Sequence, residues 1–381
     1  MTDTVSFPGL GLEFELNRVA FSIGGMDIYW YAIIIATGFV LALLFAFRNF
    51  KEFGLDSDHT LDVVMTAAVL GIIGARLYYV IFRWDEYAGN LGAILNLRGG
   101  GLGFYGAVIG GALGAILGCK WRGVKLLPFF DIASAGLMIG QAIGRWGNFF
   151  NQEAFGTNTD LPWGMTSKSV AYYIASHTSE FMGAEMDPTK PVHPTFLYEF
   201  LWLSIGFLIY VLAMKKRRYD GQMFLFYLGW NGFGRMWIEG LRTDSLMLGG
   251  LRVSQVLGAL LALTAVIANF LILSKIRREH DPDYMKLYRD TEESKLILAG
   301  QWDYKAKAPK QSAEPVSEKN VPMPSEEESE VSLKNAPAEA EPPEEETSKE
   351  ETSEEAAEPV PEEESGAESS EEQISGKNSS D

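Results

Sequence analysis

The sequence predicts an all-α integral membrane protein. It has seven transmembrane helices, an outside N-terminus, a cytoplasmic C-terminus, a small extracytoplasmic head and a disordered acidic tail. Three observations carry this. Seven apolar stretches are each long enough to cross about 30 Å of hydrocarbon as a helix. Lys and Arg cluster after alternate stretches. And the charge is segregated: Gln301–Asp381 holds 24 acidic and 7 basic residues, so the tail accounts for −17 of the chain's net −18.

Residues 1–27 mix polar and apolar positions and read as an extracytoplasmic N-terminal segment. They lack a basic region leading into an apolar one, so the first span is expected to act as an uncleaved insertion signal. The spans run roughly Ile28–Phe47, Leu61–Phe82, Leu102–Gly118, Leu126–Ile143, Thr195–Met214, Gln222–Ile238 and Val253–Leu273. Together they make a membrane domain over 28–278. Arg83–Gly101, with Trp84, Tyr87 and three consecutive glycines, reads as an interfacial arm. In the third span Gly106, Gly110, Gly114 and Gly118 recur every four residues, a small-residue face that permits close helix contact in lipid and predicts a central helix. Residues 146–192 are rich in Gly, Asn, Asp, Pro and Ser, which predicts an irregular head with one short helix near Ser169–His177. The tail, 301–381, is Glu, Pro, Ser, Ala and Lys with almost no aromatics, a composition that cannot bury enough apolar surface to offset its ordering entropy.

Orientation follows from the loops. Arg48 and Lys51 follow the first span, Lys120, Arg122 and Lys125 the third, Lys215 to Arg218 the fifth, and Lys275, Arg277 and Arg278 the seventh. All four clusters place the ends of the odd spans in the cytoplasm. The lone Cys119, beside Lys120 at the expected cytoplasmic end of the third span and with no histidine near it in sequence, reads as structural, and a single cysteine allows no intrachain disulfide. Asp62 and Asp131, single acids near cytoplasmic ends, read the same way.

Two polar faces break the apolar pattern. Gln141, Arg145 and Asn148, spaced four and three apart, share a face at the outer end of the fourth span, with Glu153 following. Charge at membrane depth is expensive and marks function by default. Arg235, Glu239 and Arg242 share a face at the outer end of the sixth span, with Asn231 one turn earlier. A carboxylate between two guanidiniums leaves one cation in surplus, which suits an anionic ligand, and arginine forks match phosphate. By topology both clusters fall on the outer side, and so predict an anionic lipid headgroup site. A third polar site, His193-Pro194 followed by Glu199, opens the fifth span, where Glu199 needs a cationic partner. No metal site, no lysine-bearing phosphate loop, no Ser-His-Asp set and no nucleic-acid surface is apparent, and no cofactor is implied. The alternative is a transporter or channel for an anionic solute, weakened by the absence of inverted repeats and by charges confined to one face. An intramembrane protease is weaker still.

The run Gly144-Arg145-Trp146-Gly147-Asn148-Phe149-Phe150-Asn151-Gln152-Glu153-Ala154-Phe155-Gly156 resembles the signature of the prolipoprotein diacylglyceryl transferase family. Trp30-Tyr31, the His193-Pro194 and Leu197-Tyr198-Glu199 entry to the fifth span, and Arg235 with Glu239 and Arg242 resemble further motifs of that family over about Phe21 to Arg278. The resemblance implies a multi-pass enzyme of the bacterial inner membrane that opens lipoprotein maturation. It would move the diacylglyceryl group of phosphatidylglycerol onto the lipobox cysteine of prolipoprotein signal peptides, forming a thioether and releasing glycerol phosphate. It implies catalytic roles for Arg145, Glu153 and Arg235, and substrate-binding roles for Asn148, Tyr31, Gly156, Glu239, Arg242 and His193. Where many members carry a histidine before a glycine pair, this chain has Tyr105, followed by Gly106-Ala107. A phenol titrates near 10 and is a poor base, so Tyr105 is expected to orient the headgroup or the thiol while Glu153 or solvent takes the proton.

Overall fold

A computed structural model describes residues 2–96, 100–177, 186–243, 247–281 and 283–302. Eleven helices lie among them: α1 (Trp30–Asn49), α2 (Ser57–Phe82), α3 (Trp84–Tyr87), α4 (Leu91–Leu95), α5 (Phe104–Arg122), α6 (Leu126–Asn151), α7 (Lys168–Ser176), α8 (Thr195–Ala213), α9 (Gln222–Ile238), α10 (Val253–Glu279) and α11 (Glu292–Leu298). Six segments among the described residues are long and apolar enough to cross a membrane: Trp30–Phe53, Ser57–Phe82, Phe104–Arg122, Leu126–Asn151, Thr195–Lys216 and Val253–Glu279. The helix α9 coincides with the expected sixth span but has 17 residues. The expected tail lies outside the described residues except for its first two.

The all-α expectation is corrected at the margins. The N-terminal segment forms two hairpins, β1 (Thr2–Phe7) with β2 (Leu12–Asn17), and β3 (Val19–Ile23) with β4 (Met26–Tyr29). On its other edge β1 pairs with β5 (Thr166–Ser167), which leads into α7, so the N-terminus is part of the head. The Asp3 carboxylate accepts the backbone N–H groups of Lys168 and Ser169, orphan donors of the first turn of α7. A last two-stranded pair, β6 (Met247–Leu248) and β7 (Leu251–Arg252), precedes α10.

The helix at the centre of the bundle is α6, which packs against α1, α8 and α9 and holds the largest buried share of the membrane-length helices. This corrects the expectation that the glycine-striped third helix is central. The stripe of α5 serves one partner. A Cβ at Gly106 or Gly110 would run into the backbone carbonyls of Gly74 or Leu70 on α2, and one at Gly114 would lie 2.7 Å from the Ala67 Cα. Val108, Ile109, Leu113 and Leu117 of α5 stay exposed, as a lipid-facing side requires. Cys119 is buried in the same packing, and Asp62 pairs with Arg122 at 2.7 Å.

The arm after α2 is fixed by a residue that the sequence reading passed over. Arg76, buried within α2, donates to four backbone carbonyls of the arm, those of Ala93, Ile94, Gly100 and Gly101, at 2.7–2.9 Å.

At the end of the bundle away from the head, the loops are tied by residues past α10. The Tyr288 N–H donates to Asp220 at 2.7 Å, Arg289 pairs with Glu52, the buried Ser294 hydroxyl donates to the Gly54 carbonyl at 2.9 Å, and Lys125 meets Glu293 at 3.1 Å. Tyr288 and Ile297 join Phe50, Phe53 and Leu55 in the core. Residues 287–298 thus form a clasp across three interhelical connections. Nearby, Asp131 accepts the N–H groups of Gly221 and Phe224 at 2.8 Å each and caps α9, a structural role.

Candidate active site

The site forms where the head-side ends of α6, α8 and α9 meet. The polar signature does not break α6. The helix runs through it to Asn151 and stops where Gln152 takes a left-handed conformation (φ +54°) and donates through its side-chain amide to the Phe149 carbonyl at 2.6 Å. Arg145 and Asn148 are therefore held on rigid helix, one turn apart on the inner face. Next along the chain, the Gly156 N–H donates to the His193 carbonyl at 2.9 Å, and a Cβ at Gly156 would lie 2.7 Å from that of His193. Only glycine lets the signature strand run against the entry to α8.

The centre of the site is Glu199. Its side chain is 5 % exposed, and three arginines converge on it from different segments. Arg145 of α6 pairs with it through Nε. Arg235 of α9 reaches Oε1 at 2.9 Å, and Arg242, just past α9, lies 3.5 Å from the same oxygen. The second Nη of Arg235 binds Glu239 at 2.7 Å, and Arg252 donates to the Glu239 carbonyl. Three guanidiniums thus meet around one buried carboxylate, and arginine forks match phosphate geometry.

A polar relay leads from this cluster toward the head. Arg145 donates to the Asn148 side-chain carbonyl at 3.3 Å, and the Asn148 amide donates to Glu153 at 2.9 Å. Asn151 donates to the same Glu153 oxygen at 3.3 Å. The Tyr31 ring packs on Gly147, and its phenol lies within electrostatic reach of Glu153 and Arg145. Deeper in the bundle, Gln141 donates to the Tyr227 hydroxyl at 2.9 Å and accepts from Asn231 at 2.7 Å. A cleft lined by Gln141, Arg145, Glu199, Asn231 and Arg235 opens among these groups.

Of the ten residues expected at the site, Arg145, Arg235, Arg242 and Glu239 meet around Glu199, and Asn148, Glu153 and Tyr31 extend that cluster. Gly156 shapes the backbone beside it. The His193 ring is turned to Tyr198, with Nδ1 3.1 Å from the hydroxyl, and Trp163 donates to that hydroxyl at 2.8 Å. Burial lowers the His193 imidazole below its ordinary 6.5, so it is neutral at neutral pH. Among the described residues Tyr105 makes no hydrogen bond or ring contact with this cluster: its ring neighbours are Tyr78 of α2 and Phe104, at 6.3 and 5.8 Å between centroids. The sequence reading noted that Glu199 needs a cation but did not place it at the centre, and it missed Tyr227. The signal for Tyr227 was present, since Tyr227, Asn231, Arg235 and Glu239 recur every four residues.

A sequence model of the prolipoprotein diacylglyceryl transferase family matches residues 18–271. The chain belongs to that family. Relatives named phosphatidylglycerol–prolipoprotein diacylglyceryl transferase include a protein of Clostridioides difficile (strain 630), 40% identical over 260 residues, which are 68% of this chain and 97% of the relative. Another, of Finegoldia magna (strain ATCC 29328 / DSM 20472 / WAL 2508), is 42% identical over 265 residues, 69% of this chain and 97% of the relative. A third, of Bacillus cereus (strain G9842), is 40% identical over 276 residues, 72% of this chain and 98% of the relative. The matched region contains every element that builds the site, and the chain covers nearly the full length of each relative.

Proposed function

We propose that this chain transfers the diacylglyceryl group of phosphatidylglycerol to the lipobox cysteine of prolipoproteins, with the lipid phosphate held by Arg145, Arg235 and Arg242. The observation that carries the reading is the convergence of these three guanidiniums in a chain of the transferase family. The cysteine sulfur, as thiolate, attacks the glycerol carbon that bears the phosphate oxygen. A carbon–sulfur bond forms, the carbon–oxygen bond breaks, and its electron pair stays on the departing phosphate. The reacting charge thus grows on phosphate, where prepositioned arginines stabilise the transition state more than the ground state.

The thiol must first lose a proton, and a free cysteine titrates near 8.5. Glu153, held by Asn148 and Asn151 and linked through Asn148 to Arg145, takes that role here. Tyr31 and Asn148 orient the headgroup. Tyr105, on the α2–α5 pair beside Tyr78 and Phe104, takes no obligatory part in the reaction. His193 and Gly156 fix the chain at the rim of the site.

In this reading α9, with 17 residues, is a short seventh span. The N-terminus and head lie outside a bacterial inner membrane and the 301–381 tail in the cytoplasm, an orientation that the four basic clusters support. The lipobox then meets the lipid at the outer leaflet. An anion transporter is not favoured, because the arginines gather at one end of the bundle and do not line a path across it.

The test is to incubate the purified protein with phosphatidylglycerol and a lipobox peptide. A peptide mass gain of one diacylglyceryl group, with glycerol phosphate released, is expected, and both are lost in Arg145→Ala. A folded sample that modifies no peptide overturns the reading.

A further inference from the structure

Further from the head than the arginines lies a layer of uncharged polar groups that the proposed reaction leaves without a task. Gln141 precedes Arg145 by four residues on α6, and Asn231 precedes Arg235 by four on α9. Four residues of helix rise about 6 Å, so the layer sits roughly one turn below the guanidiniums. Polar side chains at membrane depth are costly and ask for a reason. Gln141 is gripped at both ends. Its amide donates to the hydroxyl of the buried Tyr227 at 2.9 Å, and its side-chain carbonyl accepts from Asn231 at 2.7 Å. Asn231 also donates to the Tyr227 hydroxyl, at 3.2 Å. A tie between α6 and α9 accounts for these bonds, but it uses only one of the two N–H groups of the Gln141 amide. The other is fixed in direction by the same grip, and Gln141 lines the cleft that Arg145, Glu199 and Arg235 also line.

A glycerophospholipid with its phosphate at the arginines presents its other groups in a fixed order. The headgroup lies toward the head of the protein. The ester carbonyls lie a few bonds below the phosphate, where the acyl chains enter the hydrocarbon. An ester carbonyl accepts hydrogen bonds and donates none, so an amide N–H directed into the cleft one turn below the guanidiniums is its complement. A buried donor that meets no acceptor is unfavourable, so a lipid without that carbonyl is penalised.

We propose that Gln141 donates to an acyl ester carbonyl of the lipid substrate and makes the enzyme selective for ester-linked over ether-linked phospholipid, with Tyr227 and Asn231 holding its amide in that orientation. This rests on the transferase reading given above. Gln141 is a binding residue in this role, and Tyr227 and Asn231 are positioning residues. The carbon that the thiolate attacks lies between the phosphate and the ester-bearing part of the glycerol. Holding the lipid at the phosphate and at a carbonyl therefore fixes that carbon from both sides.

The test compares phosphatidylglycerol bearing ester-linked chains with its ether-linked counterpart, which has the same headgroup and no carbonyl. The kcat/KM for transfer to a lipobox peptide is measured on both lipids with full-length wild type, Gln141→Met and Tyr227→Phe. Wild type is expected to favour the ester lipid by about tenfold, the scale of one hydrogen bond. Gln141→Met should lose about tenfold on the ester lipid and less than about threefold on the ether lipid, which closes the gap. Tyr227→Phe keeps the ring but frees the amide to turn, and should narrow the gap as well. Equal losses on the two lipids would assign the three residues to helix packing and overturn the proposal, and so would a wild type indifferent to the linkage. A loss confined to the peptide KM would set the N–H against the lipobox peptide and overturn it too. Should Gln141→Met fail to fold, Tyr227→Phe carries the comparison, and an unchanged gap there overturns the proposal. A wild type that transfers no diacylglyceryl group from the ester lipid would sink the transferase reading itself, a distinct result.

Discussion

Trp202 of α8 and Trp230 of α9 stack with 4.2 Å between ring centroids, and each indole N–H donates to the other residue's backbone carbonyl, at 3.0 and 2.9 Å. The arrangement is reciprocal in its neighbours too. A Cβ at Gly234 would collide with the Trp202 indole nitrogen, and one at Gly206 with that of Trp230. Two glycines make room for two indoles, and the indoles bolt α8 to α9 one turn from the Glu199–Arg235 pair.

Gly234→Ala is therefore expected to displace Trp202 and splay the helices. Overfilling a packed contact costs about 1–3 kcal/mol, and the guanidinium of Arg235 moves with its helix. The expected result is a lowered thermal midpoint and at least about a tenfold loss of turnover, since small misplacements at a reacting centre are expensive. Thermal unfolding in detergent, read beside the peptide-lipidation rate, checks both; full activity in this variant would show that the indole pair does not set the geometry.

Tyr105 and Glu153 should separate cleanly. The ring of Tyr105 lies among Tyr78 and Phe104, whereas Glu153 is linked through Asn148 to Arg145. Tyr105→Phe should turn over at close to the wild-type rate, while Glu153→Gln should lose about 100-fold or more, the usual scale of a proton-transfer group. Steady-state rates at saturating phosphatidylglycerol decide it. Equal losses in the two variants would remove Glu153 from the proton path.

His193 predicts a pH limb in stability. Burial lowers its imidazole below the ordinary 6.5, so the unfolded chain takes up a proton before the folded protein does. Well above pH 6.5 the group contributes nothing to the balance. As pH falls through 6.5 toward the lowered folded-state value the unfolded state is favoured, and below that value the loss levels off. His193→Gln should flatten this limb in denaturation midpoints taken between pH 8 and pH 5; an unchanged slope would mean that other groups produce it.

The membrane helices were legible because each buries or exposes a long apolar run, and lipid leaves helix as the economical way to satisfy an isolated segment's backbone. The two polar faces were legible because three and four residue spacings bring side chains to one side. What escaped depended on partners far along the chain. Leu12–Leu16 alternates apolar and acidic residues in a strand period, yet of these residues only Leu16 is buried, so the alternation marks a hairpin that gives the core one side chain. Arg76 is a lone arginine in an apolar helix, the sort of signal that led to Arg145, but its acceptors are carbonyls of a distant arm, which no spacing announces. Glu199 was read as needing one cation and has three, because nothing local reports how many helix ends converge on it.

The family match ends at residue 271, but the folded body does not. Gly54 sits at φ +73°, and a Cβ there would lie 2.5 Å from the Ser294 hydroxyl and 2.6 Å from the Arg289 Cα, so this loop is shaped to receive residues that lie beyond the matched region. A chain cut at residue 271 would bare Phe50, Phe53 and Leu55 and strip Glu52 and Asp220 of the clasp residues that bind them. The stretch that the family model describes and the stretch that folds are thus different lengths of chain, and what separates them is a short latch closed on the face opposite the chemistry.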